Sequence, residues 1–486
     1  MTRPLSTLFL FPKLLILINV LVSAGSVQAD TPAETEVRES VFTDPISIAS
    51  RKKGHDWPRM LGSNYDSRSL EVGVDSSWPK DGLKILWTAD TGVGYGNGVA
   101  AGGRWFQFDR FGDKERLDCR NAETGARLWR WEAPVEYRDA YGYNNGPRCS
   151  PVVDEDRVYV YGVTGTLACL SVVDGKEIWR RDINEEYNVI QNFFGVGASP
   201  LVYRDKLLIM VGGSPQGRNA NVANALADGT AMVALDKQTG TELYRVGKFL
   251  ASYSAPVIQT IDGEERCLAL VREGLLAFDP KDGTQESFFA WRAKSIESVN
   301  AASPVVWRDR ILISECYELG TAILAKDLSG GLRPVYRDPE SRKEQTIRAH
   351  WSTPLLVGDR LFASSGRNGP DTDFRSVELK DISESPGAKQ EVSVSLNWQI
   401  RNRDRMTGLL VDGHAVLLGE FGALQLISTA ADRWQVLSEM NLDQIFDQKD
   451  GRPLVEAPSW APPVLSRGLL YVRGATKVIC LELIKQ

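Results

Sequence analysis

Cysteine, histidine and methionine are scarce in this chain, at six, three and six of 486 residues. His55, His350 and His414 are scattered, no two cysteines adjoin, and no C-x-x-C or H-E-x-x-H occurs, so a metal centre of recognisable spacing is excluded. No G-x-S-x-G elbow or phosphate-binding loop is present either. Basic excess is also missing. With 57 basic and 63 acidic side chains the formal charge is −6, the wrong sign for a nucleic-acid partner. What the chain does hold is turn-forming residue, 43 glycines and 23 prolines, in an otherwise ordinary composition, 43% hydrophobic and 25% charged. That balance favours many short strands over helices and excludes wholesale disorder or a multi-span membrane protein.

The N-terminus reads as an export signal. Arg3 gives the positive start, Leu14–Ala24 the apolar core, and Val27-Gln28-Ala29 a small-x-small cleavage site ahead of Asp30. Pro12 and Lys13 interrupt the apolar stretch, which leaves too little for a bilayer span. With no cysteine before Cys119, a lipid-modified N-terminal cysteine is excluded. Loss of residues 1–29 removes Arg3 and Lys13 and shifts the charge to −8, which predicts an acidic, soluble, exported protein in the periplasm or outside the cell. Residues 30–56 have no apolar period and read as a flexible linker, and residues 57–486 as the folded body.

That body repeats. A small-residue–Pro–aliphatic start recurs at Cys149 (CSPVV), Ala198, Ser254, Ala302, Ser352 and Ala461, with weaker members at Gly98 and Thr407. The spacing of about 50 residues is that of propeller blades. Within Ser150–Arg180 four short β-rich segments are bounded by Gly or Asp, which predicts four antiparallel strands per unit. Eight such units predict an all-β, eight-bladed β-propeller; a solenoid is the alternative. Closure favours the ring. The last copy stops after KVICLEL without a fourth strand, and Lys84–Trp87 before the first copy supplies one, which removes two open sheet edges.

Turns such as ALDKQTGTELY (Ala234–Tyr244) place an Asx acceptor and a positive-φ glycine before an aromatic residue. One ring per blade, Trp87, Trp129, Trp179, Tyr244, Trp291, Tyr336, Trp398 and Trp434, is expected to dock neighbouring blades together.

The SPVV start, the YV second strand and the A-L-D-x-x-T-G-x-x-L-W end together resemble the pyrroloquinoline-quinone (PQQ)-like repeat, over roughly Trp57–Leu483. The resemblance implies an eight-bladed propeller with tryptophan docking. Two branches bracket the function it implies. Quinoprotein dehydrogenases hold PQQ with calcium over the central channel, often above a vicinal Cys-Cys pair that this chain lacks. The outer-membrane-assembly type (BamB-like) is a scaffold without catalysis; its lipid-attachment cysteine is missing here.

Cys119, Cys169 and Cys480 occupy one third-strand position in three blades, too far apart for a bridge, so buried thiols are expected; a bridge from Cys149 to Cys119 or Cys169 stays open. Gly92–Gly98 (GVGYGNG) lies between strands and reads as a loop. Loops leading into first strands converge on one mouth of the channel, where Tyr95, Asn145, Arg148, Phe194, Asn300, His350 and Trp351 form the candidate ligand or partner funnel. An enzyme would need a carboxylate base and oxygen ligands for calcium here, and Glu297, Glu315 and Glu420 are the first candidates for those roles. Insertions at Ser214–Asp228 and Arg367–Gln390 enlarge blades 3 and 6, and Glu439–Asp450 is expected to form one short helix.

The reading that follows is a non-catalytic binding or assembly scaffold of the cell envelope, with envelope proteins or a small polar ligand as partner, no metal and no cofactor expected. A PQQ- and calcium-dependent oxidoreductase of alcohols or sugars is the alternative. A carbohydrate binder that stacks sugar on Trp351 or Phe194 is the second.

Overall fold

The computed structural model describes residue 48, residues 50–383 and residues 390–486. The expected signal peptide and most of the linker lie outside the described residues. The described chain forms eight four-stranded antiparallel sheets, with a single helical turn at Ile183–Glu186. Blades 1 to 7 span residues 99–134, 152–182, 201–246, 257–290, 305–337, 355–401 and 406–441, each in simple up-and-down order. Blade 8 is composite: three strands from residues 464–482 are completed by Lys84–Asp90, which pairs antiparallel with Lys477–Glu482. The protein is an eight-bladed β-propeller, and its ends are joined by hydrogen bonds, so neither sheet edge is left open.

Sheets pack face to face because each blade's inner-facing residues are apolar on both sides. The buried clusters accordingly straddle blade boundaries. Leu208, Met210 and Ala234 of blade 3 pack with Cys267, Leu276 and Phe278 of blade 4. The Arg367–Gln390 insertion contains strand rather than loop: Asp373–Asp381 pairs with Val392–Arg401 over nine positions. The short helix expected over Glu439–Asp450 does not form; Val436–Asn441 is the outer strand of blade 7, followed by turns. Its pairing to Ala423–Ser428 outcompetes a helix that would have left that strand unpaired.

In all eight blades the third and fourth strands slip register at one equivalent place. Such a bulge sharpens the local twist and re-aims the side chain beside it. That side chain is Trp87, Trp129, Trp179, Tyr244, Tyr336 or Trp398 in six blades. Four of them donate across the blade boundary to a turn carbonyl: Trp87 Nε1 to Ala122 O at 2.9 Å, Trp129 to Val172 O at 3.0 Å, Trp179 to Lys237 O at 3.2 Å and Tyr244 Oη to Pro280 O at 2.6 Å. Trp291 and Trp434 stand elsewhere, and serines 287 and 438 hold the bulge position in blades 4 and 7. Trp291 follows its strand and is buried beside Phe289. Trp434 precedes its strand and receives Trp398 of blade 6 edge-on, with centroids 5.6 Å apart. Spacing in sequence could not separate these cases, because the strand ends shift by several residues between blades.

Residues 57–71 cross one face of the ring and bind the innermost strands. Trp57 exchanges two backbone hydrogen bonds with Ala100 of blade 1, Val153 N of blade 2 donates to Pro58 O, and Tyr65 Oη donates to Val202 O of blade 3. Arg68 donates to Leu356 O of blade 6, Leu410 of blade 7 bonds to Ser67 and Ser69, and Glu71 accepts from the Arg467 and Gly468 amides of blade 8. The last residues of the expected linker are also fixed. Arg51 pairs with Glu482, and Asp56 accepts from Arg467 Nε at 3.0 Å.

Candidate functional site

The loops that open the blades meet at the mouth opposite this segment. One sequence position governs what they present: the residue three before the proline of each repeat start, or before Gly98 and Gly408 where proline is replaced. Around the ring it is Tyr95, Arg148, Gly197, Tyr253, then Ala301, Trp351, Arg405 and Trp460. All eight line a single central cavity of about 190 Å³. Met60, Leu61 and Ser67, from the segment that crosses the far side, complete its lining.

The aromatic rings touch in sequence. Tyr95 lies 4.8 Å from Trp460, and Trp460 lies 5.0 Å from Trp351. Tyr143 bridges Trp460 and Phe194 at 5.8 and 5.4 Å, and Phe194 reaches Tyr253 at 5.4 Å. Arg405 lies over Trp351 at 4.5 Å and Trp460 at 5.1 Å, a cation–π contact made strong by desolvation. Its guanidinium is neutralised by Glu420, 2.5 Å away, which also accepts from Trp460 Nε1 at 3.0 Å. Arg148 lies over Tyr95 and Tyr137, and pairs with Asp139 at 2.7 Å.

Burial pushes the Glu420 carboxyl up, but hydrogen bonds from Arg405 and Trp460 and the Arg405 charge more than compensate, so it is held below its ordinary value. Burial raises the phenols of Tyr95 and Tyr253, which keeps both neutral, and their oxygens accept from Asn144 N at 3.4 Å and Phe194 N at 2.8 Å. His350, beside Trp351, is brought down to about 3 by burial and by the charges of Arg405 and Arg367. The imidazole is therefore neutral at physiological pH. Among the described residues Arg148 Nε, His350 Nδ1 and Trp351 Nε1 find no hydrogen-bond partner, which leaves polar atoms for an incoming group.

Of the funnel expected from sequence, Tyr95, Arg148, Phe194, His350 and Trp351 line the cavity. Asn145 and Asn300 do not. Asn145 Oδ1 accepts from Asp139 N at 2.7 Å, and Asn300 is buried with Nδ2 bonded to Val271 O and Trp291 O. Both carboxamides brace their own loops. Tyr253, Arg405 and Trp460 were missed, although the register before the proline marks them. Tyr143 carries no such mark.

Of the three acids, Glu297 is exposed and pairs with Arg367 at 3.2 Å, while Glu315 accepts from the Tyr317 and Glu318 amides within its own turn. Glu420 serves Arg405. No carboxylate lines the cavity, and no group of three or more His, Cys, Asp or Glu is placed to hold a metal among the described residues. The walls suit a flat ring and an acceptor group. They offer Ser, Thr and Tyr hydroxyls but no carboxylate to balance the charge of calcium, and the His350 imidazole, at about 3, is too weak a base, so the quinone–calcium couple does not fit these residues. All six cysteines are free and buried; Cys119, Cys169 and Cys480 stand opposite the docking rings Trp129, Trp179 and Trp87. No helix among the described residues is long and apolar enough to cross a membrane.

The sequence model of the PQQ-like family described as outer membrane protein assembly factor BamB matches residues 79–215 and 113–370, together more than half the chain. The chain belongs to this family. Among solved structures it is similar to BamB from Moraxella catarrhalis, with 11% identity over 83% of this chain and 98% of that one, at a TM-score of 0.53. It is also similar to a europium-containing methanol dehydrogenase, with 10% identity over 90% of this chain and 91% of the other, at a TM-score of 0.58. A third likeness is to quinohemoprotein alcohol dehydrogenase from Comamonas testosteroni, with 12% identity over 90% and 82% and a TM-score of 0.54. At these identities the likeness is one of fold. No curated protein matches the sequence.

Proposed function

We propose that the chain is a non-catalytic binding propeller of the cell envelope, exported by its N-terminal signal, whose working surface is the aromatic–arginine mouth. One observation carries the reading. Every blade contributes a cavity-lining residue from one register position, and none of the eight is an acid, while the nearby Glu420 and Asp139 are paired with Arg405 and Arg148. Such walls bind; the one imidazole among them, His350, is held near 3 by burial and by the Arg405 and Arg367 charges, too weak a base to take a proton from an alcohol.

Around the opening, Tyr141, Tyr143 and Phe421 are each about half exposed, at 52%, 45% and 53%. Aromatic rings presented this way are typical of surfaces that anchor a protein partner. An envelope protein that inserts a side chain or chain end into the cavity accounts for both features, as the assembly role of the family would require.

The oxidoreductase reading makes a different demand on the same cavity. Titration of the chain from Asp30 with PQQ, with and without Ca²⁺, reads out on tryptophan fluorescence. The expected result is no calcium dependence and no dye reduction on added alcohols or sugars. Saturable calcium-dependent quenching with turnover would overturn the scaffold reading. In-cell cross-linking from Tyr141 and Phe421 then identifies the partner.

A further inference from the structure

A second cavity, of about 370 Å³, lies between blades 2 and 3 and is separate from the central one except at Gly197, which lines both. The blade-3 insertion builds one of its walls. This segment joins Lys206–Met210 to Met232–Asp236, a connection that the other good repeats make with a short turn. It is anchored: Val189 bridges Gly213, Leu226 N donates to Gln216 Oε1 at 2.8 Å, and Arg218 pairs with Glu185.

The lining is rich in carboxamides, Asn184, Gln191, Asn192 and Asn219, with the Thr164 hydroxyl beside them. Asn192 is committed to the Phe193 amide and to Ala251 O. The other three are not committed. Asn184 Oδ1 is buried without a partner, and the Gln191 and Asn219 side chains make no hydrogen bond among the described residues. Each carboxamide offers donors and acceptors together, with no net charge. Glu136 and Arg218 are the ionised groups of the lining, one of each sign. Balanced amides without a charge bias match vicinal hydroxyls better than an anion, a cation or an apolar ring. Tyr137 also lines it, although Arg148 lies over its ring, so recognition rests on the carboxamides rather than on stacking.

We propose that this cavity is a binding site for a neutral sugar of one or two units. It is distinct from the central mouth, where stacking on Trp351 or Phe194 is impeded because Arg405 covers the first ring and Tyr143 and Tyr253 pack on the second.

The test is calorimetric titration of the chain from Asp30 with maltose, cellobiose and N,N′-diacetylchitobiose, against the double variant Gln191→Ala/Asn219→Ala and, separately, Trp351→Ala. Gln191 and Asn219 are exposed, so the double variant should fold, and its unfolding curve should overlay that of the parent. The expected result is saturable binding of at least one disaccharide, weakened about tenfold or more by the double variant and unchanged by Trp351→Ala. Absence of binding by all three sugars, or binding indifferent to the double variant, overturns the proposal. Loss in Trp351→Ala alone would place sugar at the central mouth and overturn it equally.

Discussion

Arg405 and Glu420 meet 2.5 Å apart at the channel mouth, with the guanidinium lying over Trp351 and Trp460. Both belong to blade 7, yet the pair fixes rings from blades 6 and 8, so one ion pair organises three blades. A buried charge of this kind is costly to orphan.

Glu420→Gln should therefore destabilise the protein by about 1–3 kcal/mol at pH 7, measured by urea unfolding. Because the folded carboxyl is held below its ordinary value, its contribution is present above the unfolded value and is lost as pH falls through the folded one. The gap between parent and variant should thus shrink in acid. A gap unchanged at pH 3 would mean that Glu420 and Arg405 are not coupled in this way.

His350 gives a slope in a different window. Its folded value is near 3, so between the ordinary value and about 3 the unfolded chain takes up a proton that the folded one refuses. Stability should fall with decreasing pH there, by up to about 1.4 kcal/mol per unit. His350→Phe removes this component, and unfolding curves at pH 7 and pH 5 should lie closer together than in the parent.

Glu115 works in the opposite sense. Its buried carboxylate accepts from Val163 N of the next blade at 2.7 Å, and burial pushes it up to about 7. The folded state therefore favours the protonated form, and stability is lost as pH rises from the ordinary carboxyl range through 7. Glu115→Gln keeps an acceptor for Val163 without the charge. It should stabilise the protein by about 1–3 kcal/mol at pH 8.5 and much less at pH 5, read from thermal or urea unfolding.

Docking across the blade boundary is tested at glycine. A Cβ at Gly175, where φ is +70°, would lie 2.4 Å from Trp129, whereas one at Gly112, where φ is +61°, meets nothing within 4 Å. Both alanine variants incur the cost of a left-handed backbone, about 1–2 kcal/mol. Gly175→Ala must also displace the indole and should lose a further 1–3 kcal/mol or so, as overpacked sites do. Equal midpoints in denaturant would mean that the ring does not seat on this turn.

Much of the architecture was legible before the structure. Apolar period, turn residues and the Pro-aliphatic starts mark eight units of four strands, because each strand must alternate faces and each hairpin needs its glycine or Asx residue. Six of the aromatic residues stand at the bulge; Trp291 and Trp434 lie off it, because strand ends move and only pairing register locates the bulge, yet both still pack in clusters that join neighbouring blades. Within the candidate site, Arg148 and Trp351 came from loop chemistry, while Asn145 and Asn300 were drawn inward to their own loops by backbone partners that no sequence pattern displays.

By itself, then, the sequence determined the number of blades, their strand order and the strand that closes the ring, since all three follow from local periodicity and the need to pair every edge. Tertiary structure decided which of the loop residues meet. Tyr95 and Trp460 are separated by 365 positions and become neighbours only because the ring closes, which no local rule encodes. The ring also lets residues 57–71 bond to successive blades across the far side of the channel, while the amide-lined cavity between blades 2 and 3 is built by packing consecutive repeats, from Glu136 to Ser252, around the blade-3 insertion.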